Sequence, residues 1–373
     1  MTYRGLTWDH PRGRQALERT ALAAPGLIEW EVHSLEGFEA SPIEELAEQY
    51  DVLVLDHPHL GDALAAGALI PVEAWLGEDA LRRIAADAVG PSLRSYEVGG
   101  RTWALPLDAA SQVSARLPER VAEAPVRWED VLQLAQRVPV APNLGGPHAL
   151  LSYLSICVAL GEDPAVDGSE LLVSEAVGSE AARILIELAR TAPAGAVDLN
   201  PIGLLERMRD ERDIAYVPLV YGYVNYASGP GALAFANAPV GPAGRTGSVI
   251  GGTGLAISTR TQPDARLVDM LTWLMHPLTQ ATVISEHAGQ PSSGAAWANP
   301  EVNRLAGEFY AATRRTINEA WVRPRLPGFT AFQASASRLL RDRIAASDAS
   351  GAWRVVQREY AHTLAGAKMP AHR

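Results

Sequence analysis

Residues 41–61 read SPIEELAEQYDVLVLDHPHLG, and this stretch decides the class of fold. Ser41 is a helix-capping residue, Pro42 suits a first helical turn, and acids follow within that turn. The helix expected there runs straight into DVLVLD (51–56), a short apolar run of the kind found in strands covered on both faces. Upstream, LIEWEVHSL (27–35) alternates apolar and polar residues as a half-buried strand does. Before it, YRGLTW (3–8) reads as a strand and GRQALERTALAA (13–24) as a helix. The order β-α-β-α-β favours a parallel sheet with helices on its faces, an α/β class of fold.

The chain has 373 residues, 47% hydrophobic and 20% charged, a folded balance with room for two ordinary domains. Its net charge of -11, from 43 acidic and 32 basic side chains, argues against nucleic acid or an anionic membrane surface as partner. The basic residues form only short groups, Arg314–Arg315 and Arg323–Arg325. The single cysteine, Cys157, excludes an internal disulfide or a multi-cysteine metal site and reads as a core residue of LLSYLSICVAL (150–160). No run approaches the length of a membrane span, so direct membrane insertion is not expected. A strand-like segment follows Met1 almost at once, with no signal peptide. The expected location is cytoplasmic if this is the full native chain, and periplasmic or otherwise extracytoplasmic if a leader was removed.

From Ser95 the texture changes. YEVGGRTWALPLDAASQVSARL (96–117) reads as a hairpin turning at Gly99-Gly100, then a strand broken at Pro106. Helices are expected over 127–138, 148–161, 180–192 and 201–212. DIAYVPLVYGYVNYA (213–227) reads as containing a strand, and the glycine-rich 241–253 leads into the strand GLAIS (254–258). Two helices are expected across 265–287, one over 301–320, then, after the break VRPRLPG, helices over 329–345 and 352–364.

In order along nearly the whole chain, several of these segments resemble the bacterial extracellular solute-binding proteins of ABC importers, in their maltose-binding-like, mostly carbohydrate-binding branch. YEVGGRTWALPLDAASQVSARLPERV (96–121) resembles that branch's hairpin, Leu-Pro motif and helix. VRWEDVLQLAQRV (126–138) resembles its Trp-Asp-Glu helix start. VIGGTGLAIS (249–258), with LVDMLTWLMHPLTQATVISEHAGQPSS (267–293), resembles its Gly-Gly strand, long helix and Gly-Gln-Pro turn. The resemblance implies a two-lobe, type II periplasmic-binding-protein-like fold that bends at a hinge, with the ligand cleft between the lobes. Lobe one would be residues 1–107 and 253–312, and lobe two 108–252 and 313–373. It further implies a monomer without cofactor, whose partners are a small-molecule ligand and a membrane permease. The chain departs from the family in lacking a leader or a lipid-anchor cysteine with a flexible linker.

The residues that carry chemistry lie where this fold would use them. Ligands of open α/β sheets bind beyond the carboxyl ends of the strands. Asp-His-Pro stands at two such ends, giving Trp8, Asp9, His10 and Arg12 at one and Asp56, His57 and His59 at the other. Carboxylates and imidazoles there can hold hydroxyl groups, and Trp8 supplies a stacking face. A metal site at His57 and His59, an Asp-oriented histidine base, and simple helix capping are the competing readings. No HExxH or GxSxG motif supports metal or hydrolase chemistry, and the ligand rim leads.

Alternation in VYGYVNYASG (220–229) would put Tyr221, Tyr223 and Asn225 on one face as a tyrosine wall, with Tyr226 pointing into the core. These tyrosines read equally well as core. His148 sits in a first helical turn, as a ligand contact or an ordinary cap. Asp108 would lie at the lobe junction over Trp103, and Gly252 in a glycine-rich stretch that is not a dinucleotide fingerprint. Gln290 is expected to reach the cleft. Arg325, with Arg323, would meet a carboxylate or a sugar acid, or make interlobe ion pairs. The resulting expectation is capture of a small polar ligand, a sugar or polyol, by lobe closure for delivery to an ABC permease. The alternative is a cytosolic enzyme or sensor on the same fold, using the Asp/His rim on a small polar or anionic substrate.

Overall fold

β1 (Tyr3–Trp8) is buried at every position but Arg4, because a strand pairs with it on each side. β2 (Ile28–His33) runs parallel to it along its whole length, from Tyr3↔Ile28 to Trp8↔His33, and β3 (Val52–Leu55) runs parallel on the other side. All four residues of β3 are buried, as its apolar run requires, whereas β2 is the largely exposed sheet edge. This is the computed structural model of the chain, and it describes residues 2–34, 37 and 42–368. The expected cap Ser41 lies outside them.

The chain divides into two compact units. The first comprises Met1–Ala110, Gly251–Ala306 and Arg325–Pro327, and the second Ser111–Ile250, Gly307–Pro324 and Gly328–Arg373. The sheet of the first unit continues past β3 with a strand from far along the chain. β4 (Leu69–Ile70) lies at its other edge, a hairpin of β5 (Glu97–Val98) and β6 (Arg101–Thr102) stands apart, and β7 (Leu105–Pro106) joins near the crossing. β8 (Ala110–Arg116), β9 (Tyr216–Tyr221) and β10 (Ala234–Ala236) form the second unit's sheet with the short β11 (Ile250–Gly251). The chain then returns as β12 (Gly254–Ser258), antiparallel to β3 from Gly254↔Leu55 to Ile257↔Val52. The sheet is therefore mixed, in order β2-β1-β3-β12-β4, and departs from the all-parallel expectation at this one returning strand. Leu6, Leu53, Leu55, Leu60, Tyr96 and Ala256 lie at the core of the unit, with Trp103 packed against it.

In the second unit β8 pairs antiparallel with β9 and β10. The helix His148–Ala159 is buried at all twelve positions, which explains why it carries no polar face. It packs against the helices Glu175–Thr191 and Phe329–Ala345, and the last helix, Ala349–Lys368, covers both of these. The single helix expected over 301–320 is two, Pro300–Leu305 and Phe309–Glu319. Between them Gly307 has φ of 57° and lies against the Ala227 carbonyl, leaving no space for a side chain.

Gly252 sits where the chain re-enters the first unit. Its φ is 99°, and a Cβ there would stand 2.5 Å from the Asp108 carbonyl oxygen. Gly252→Ala is expected to cost at least about 2 kcal/mol in urea denaturation, because strain and overlap add. Gly99→Ala, with similar φ sign but open space around it, should cost only about 1 kcal/mol by the same measurement.

Candidate ligand-binding site

At the carboxyl end of β1 the sequence Asp-His-Pro serves the helix immediately after it. His10 is the N-cap of the helix Pro11–Ala23, with φ -152° and ψ 147°, and its Nδ1 accepts the Arg12 N–H at 3.1 Å. Proline at the first helical position gives up a donor that would have no partner. The Trp8 indole lies where a Gly13 side chain would be, so glycine there admits the ring. The His10 ring stacks on Trp8 at 5.3 Å, and the Arg12 guanidinium lies 5.8 Å from the same indole. Burial, reinforced by the Arg12 charge, lowers the His10 pKa to about 4. The ring is therefore neutral at pH 7, as a cap that accepts a hydrogen bond must be. Asp9 is more than half exposed and pairs with Arg14 at 2.9 Å.

The second Asp-His-Pro folds in a different register. Here Asp56 is the cap: its Oδ1 accepts the His57 N–H at 2.9 Å and lies 3.1 Å from His57 Nδ1. His57–His59 form one turn of 3₁₀ helix, and His59 Nδ1 is 3.1 Å from the Asp56 carbonyl. His57 is fully buried, edge-on to Tyr96 at 6.3 Å between ring centres. The Tyr96 hydroxyl donates to the carbonyls of Leu55 (3.2 Å) and Gly252 (3.3 Å), fastening this strand end to the returning crossing. Among the described residues, no three His, Cys, Asp or Glu side chains gather as a group able to hold a metal ion.

Asp108 is bonded through both carboxylate oxygens. It is buried, its Oδ2 accepts Arg12 Nε at 2.6 Å, and its Oδ1 accepts the Thr253 N–H at 2.7 Å and the Thr253 hydroxyl at 3.3 Å. Gln290, also buried, donates to the Ala109 carbonyl at 3.1 Å. The Arg325 guanidinium donates to the Glu97 carbonyl at 3.1 Å, and burial lowers its pKa from the ordinary arginine value. Trp103 donates from its indole to the Val98 carbonyl at 3.0 Å.

In the second unit His148 is the first residue of its helix, and its ring meets Tyr221 edge-on at 5.8 Å. The Tyr221 hydroxyl donates to the Ile250 carbonyl at 3.4 Å. Arg323 donates to Gln333 Oε1 at 3.0 Å and to the same Ile250 carbonyl at 3.5 Å. The strand alternation expected over Tyr221, Tyr223 and Asn225 does not continue as far as Asn225. β9 stops at Tyr221, Gly222 packs so closely on Phe309 that a Cβ would lie 2.6 Å from the ring, and Val224–Tyr226 is a 3₁₀ turn. Tyr223 instead packs edge-on against Tyr226 at 6.4 Å. Tyr226 is buried, with its hydroxyl 3.4 Å from Glu206. Sequence reading passed over Tyr96, Thr253 and Gln112. Only the threonine carried a signal, as the one hydroxyl within Gly-Gly-Thr-Gly.

No family model and no curated protein sequence matches the chain. Solved structures do. An ABC-transporter solute-binding protein from Agrobacterium radiobacter in complex with ribitol is 18% identical with a TM-score of 0.81, over 97% of this chain and 98% of that one. Maltose-bound MalE3 of T. maritima is 15% identical with a TM-score of 0.79, over 96% and 98%. A solute-binding protein from Agrobacterium vitis with bound D-mannitol is 16% identical with a TM-score of 0.77, over 99% of each. The chain has the two-lobe, type II periplasmic-binding-protein fold of the maltose-binding-like proteins. No helix among the described residues is long and apolar enough to cross a membrane.

Asp108→Ala strands Arg12 as an uncompensated buried charge and should lower the unfolding free energy by about 3–5 kcal/mol. The double replacement Arg12→Met with Asp108→Leu should cost clearly less than the two single changes together, as a denaturation double-mutant cycle would read. For His10 the folded pKa of about 4 lies below the ordinary value of about 6.5. The unfolded chain binds the extra proton first, so the His10 contribution is full above pH 6.5 and lost as pH falls from about 6.5 to about 4. His10→Asn, which keeps a capping acceptor, should flatten the melting temperature against pH across that window.

Proposed function

We propose that this protein is a solute-binding protein that captures a small polar ligand, a sugar or polyol, by closure of its two lobes and delivers it to an ABC-type permease. The observation that carries the reading is the likeness to the ribitol-bound protein, which spans 97% of this chain and 98% of the other. Other similar structures hold D-mannitol, tagatose and maltose. The candidate residues support the same ligand class. His10 beside Trp8 and His148 beside Tyr221 each set a hydrogen-bonding ring next to an aromatic one, which suits a polyhydroxy ligand. Trp8, Asp9, His10, Arg12, Asp56, His57, His59, His148 and Tyr221 would contact the ligand, with Tyr223, Asn225 and Arg325 as further candidates. Asp108, Gly252 and Gln290 would act by holding the crossing segments. Delivery to a permease puts the working protein on the extracytoplasmic side of the membrane, as a monomer.

Closure arises from a ligand's preference for the closed state, since a ligand touching both lobes stabilises the conformation that allows both sets of contacts. Titration calorimetry with ribitol, D-mannitol, D-tagatose and maltose is expected to find saturable binding of at least one. Small-angle scattering at saturation should then show a smaller radius of gyration. No binding across this panel would count against the ligand class, and saturation at unchanged size would count against closure.

A further inference from the structure

Five side-chain amides are buried among the described residues: Gln112, Asn143, Gln280, Gln290 and Asn303. Four are hydrogen-bonded. Gln112 bonds Ser152 and Ser155, Gln280 bonds Leu274 and Ser292, Gln290 bonds Ala109, and Asn303 bonds Trp297. Asn143 alone has neither its Oδ1 nor its Nδ2 partnered, although the residue is only 1% exposed. A buried amide with neither end met by a protein group is destabilising unless a water or a ligand meets it.

Its place in the fold says what that function is. The segment 139–141 runs parallel to β9, with Ala141 donating to the Tyr216 carbonyl at 3.1 Å and Ala215 to the Pro139 carbonyl at 2.9 Å. Asn143 therefore stands past the carboxyl end of this segment, on the side to which β9 delivers Tyr221. Its own carbonyl accepts the Ser152 hydroxyl at 2.9 Å, and Ser152 is joined to Gln112, the residue paired with Tyr221 across the sheet. His148, whose ring meets Tyr221, lies five residues further along the chain. The asparagine thus belongs to the group that holds His148 and Tyr221, at the strand ends where open α/β sheets bind ligands.

We propose that Asn143 is a specificity-determining ligand contact, its amide reading adjacent hydroxyls of a neutral polyhydroxy ligand by donating to one and accepting from the next. This inference rests on the solute-binding reading above. An amide suits that task because each hydroxyl is both donor and acceptor, and because a charged group there would bring a desolvation cost the amide avoids.

The test uses Asn143→Leu and Asn143→Ser in the full chain, titrated with ribitol, D-mannitol, D-tagatose and maltose. Leucine matches the amide in shape and removes an unpartnered polar group, so the ligand-free melting temperature should hold or rise. Affinity for the best binder should fall at least tenfold in both variants, and unequally across the panel, so that the order of preference changes. General structural damage would weaken all ligands alike. If either variant folds and keeps wild-type affinities and ranking, Asn143 is no ligand contact and the proposal falls while the solute-binding reading stands. If Asn143→Leu fails to fold while Asn143→Ser binds normally, the residue is structural and the proposal again falls. If the wild-type chain binds none of the four, both fall together.

Discussion

The buried carboxylate of Asp108 organises the first unit. It stands two residues before the chain leaves that unit after Ala110, and it reaches Thr253, two residues after the chain returns at Gly251. Its other oxygen takes Arg12, at the start of the helix that succeeds β1. One side chain thus ties together the outgoing crossing, the returning crossing and the end of a central strand. Such a carboxylate is tolerable inside a protein because its own charge is matched: the guanidinium is at 2.6 Å, and the amide and hydroxyl of Thr253 bond its other oxygen. The second unit handles the same two crossings with neutral groups. Gln112 accepts the Ser155 hydroxyl at 2.5 Å, and the Ser155 oxygen accepts the Val249 N–H at 2.9 Å. Ser248 returns a hydroxyl bond to the Gln112 carbonyl at 2.7 Å. Each unit therefore grips both crossing segments by its own polar network, and the segment between the two grips is short.

The helix His148–Ala159 makes the second network possible. It is enclosed by the helices Glu175–Thr191 and Phe329–Ala345 as well as by the sheet, so any polar residue on it must find an internal partner. Ser152 and Ser155 do so by facing Gln112 and the Asn143 carbonyl. Cys157, in the same helix, is fully buried, and burial raises its thiol pKa far above the ordinary range, which leaves it an inert packing residue. The rigid, fully packed helix then presents His148 from its first turn.

Local pattern carried much of this into the sequence. Period-two alternation located β2 and the apolar run located β3, and the last two long helices were legible from their periodicity. The direction of β12 was not, because an antiparallel return after a whole intervening unit leaves no trace in five residues. The two Asp-His-Pro sites show a finer limit. In the first, the histidine caps an α-helix; in the second, the aspartate caps a 3₁₀ turn. The tripeptide is identical, and its surroundings select the register: Gly13 lets Trp8 lie against an α-helical first turn, while His57 must bury its ring against Tyr96. The end of β9 at Tyr221 was hidden for a similar reason, since Gly222 is held against Phe309, far away in sequence. The ion pair of Asp108 with Arg12 was not legible, because the partners lie 96 residues apart.

The distribution of charge bears on what a ligand would meet. The chain carries a net charge of -11, yet the charged groups named at the strand ends are matched where they stand. Arg12 is held by Asp108, Asp9 by Arg14, and Asp56 is turned toward the His57 backbone and ring. His10 is neutral at pH 7 because burial and Arg12 disfavour its cation. An anionic ligand would need an unmatched cation to offset its lost hydration, and drawing Arg12 away from Asp108 would leave a buried carboxylate exposed to the full cost of isolation. A neutral ligand makes no such demand. It needs donors and acceptors, which on the proposed reading His10 beside Trp8 and His148 beside Tyr221 would offer. The internal pairing stabilises these strand ends, and on the reading proposed above it would also disfavour a charged ligand.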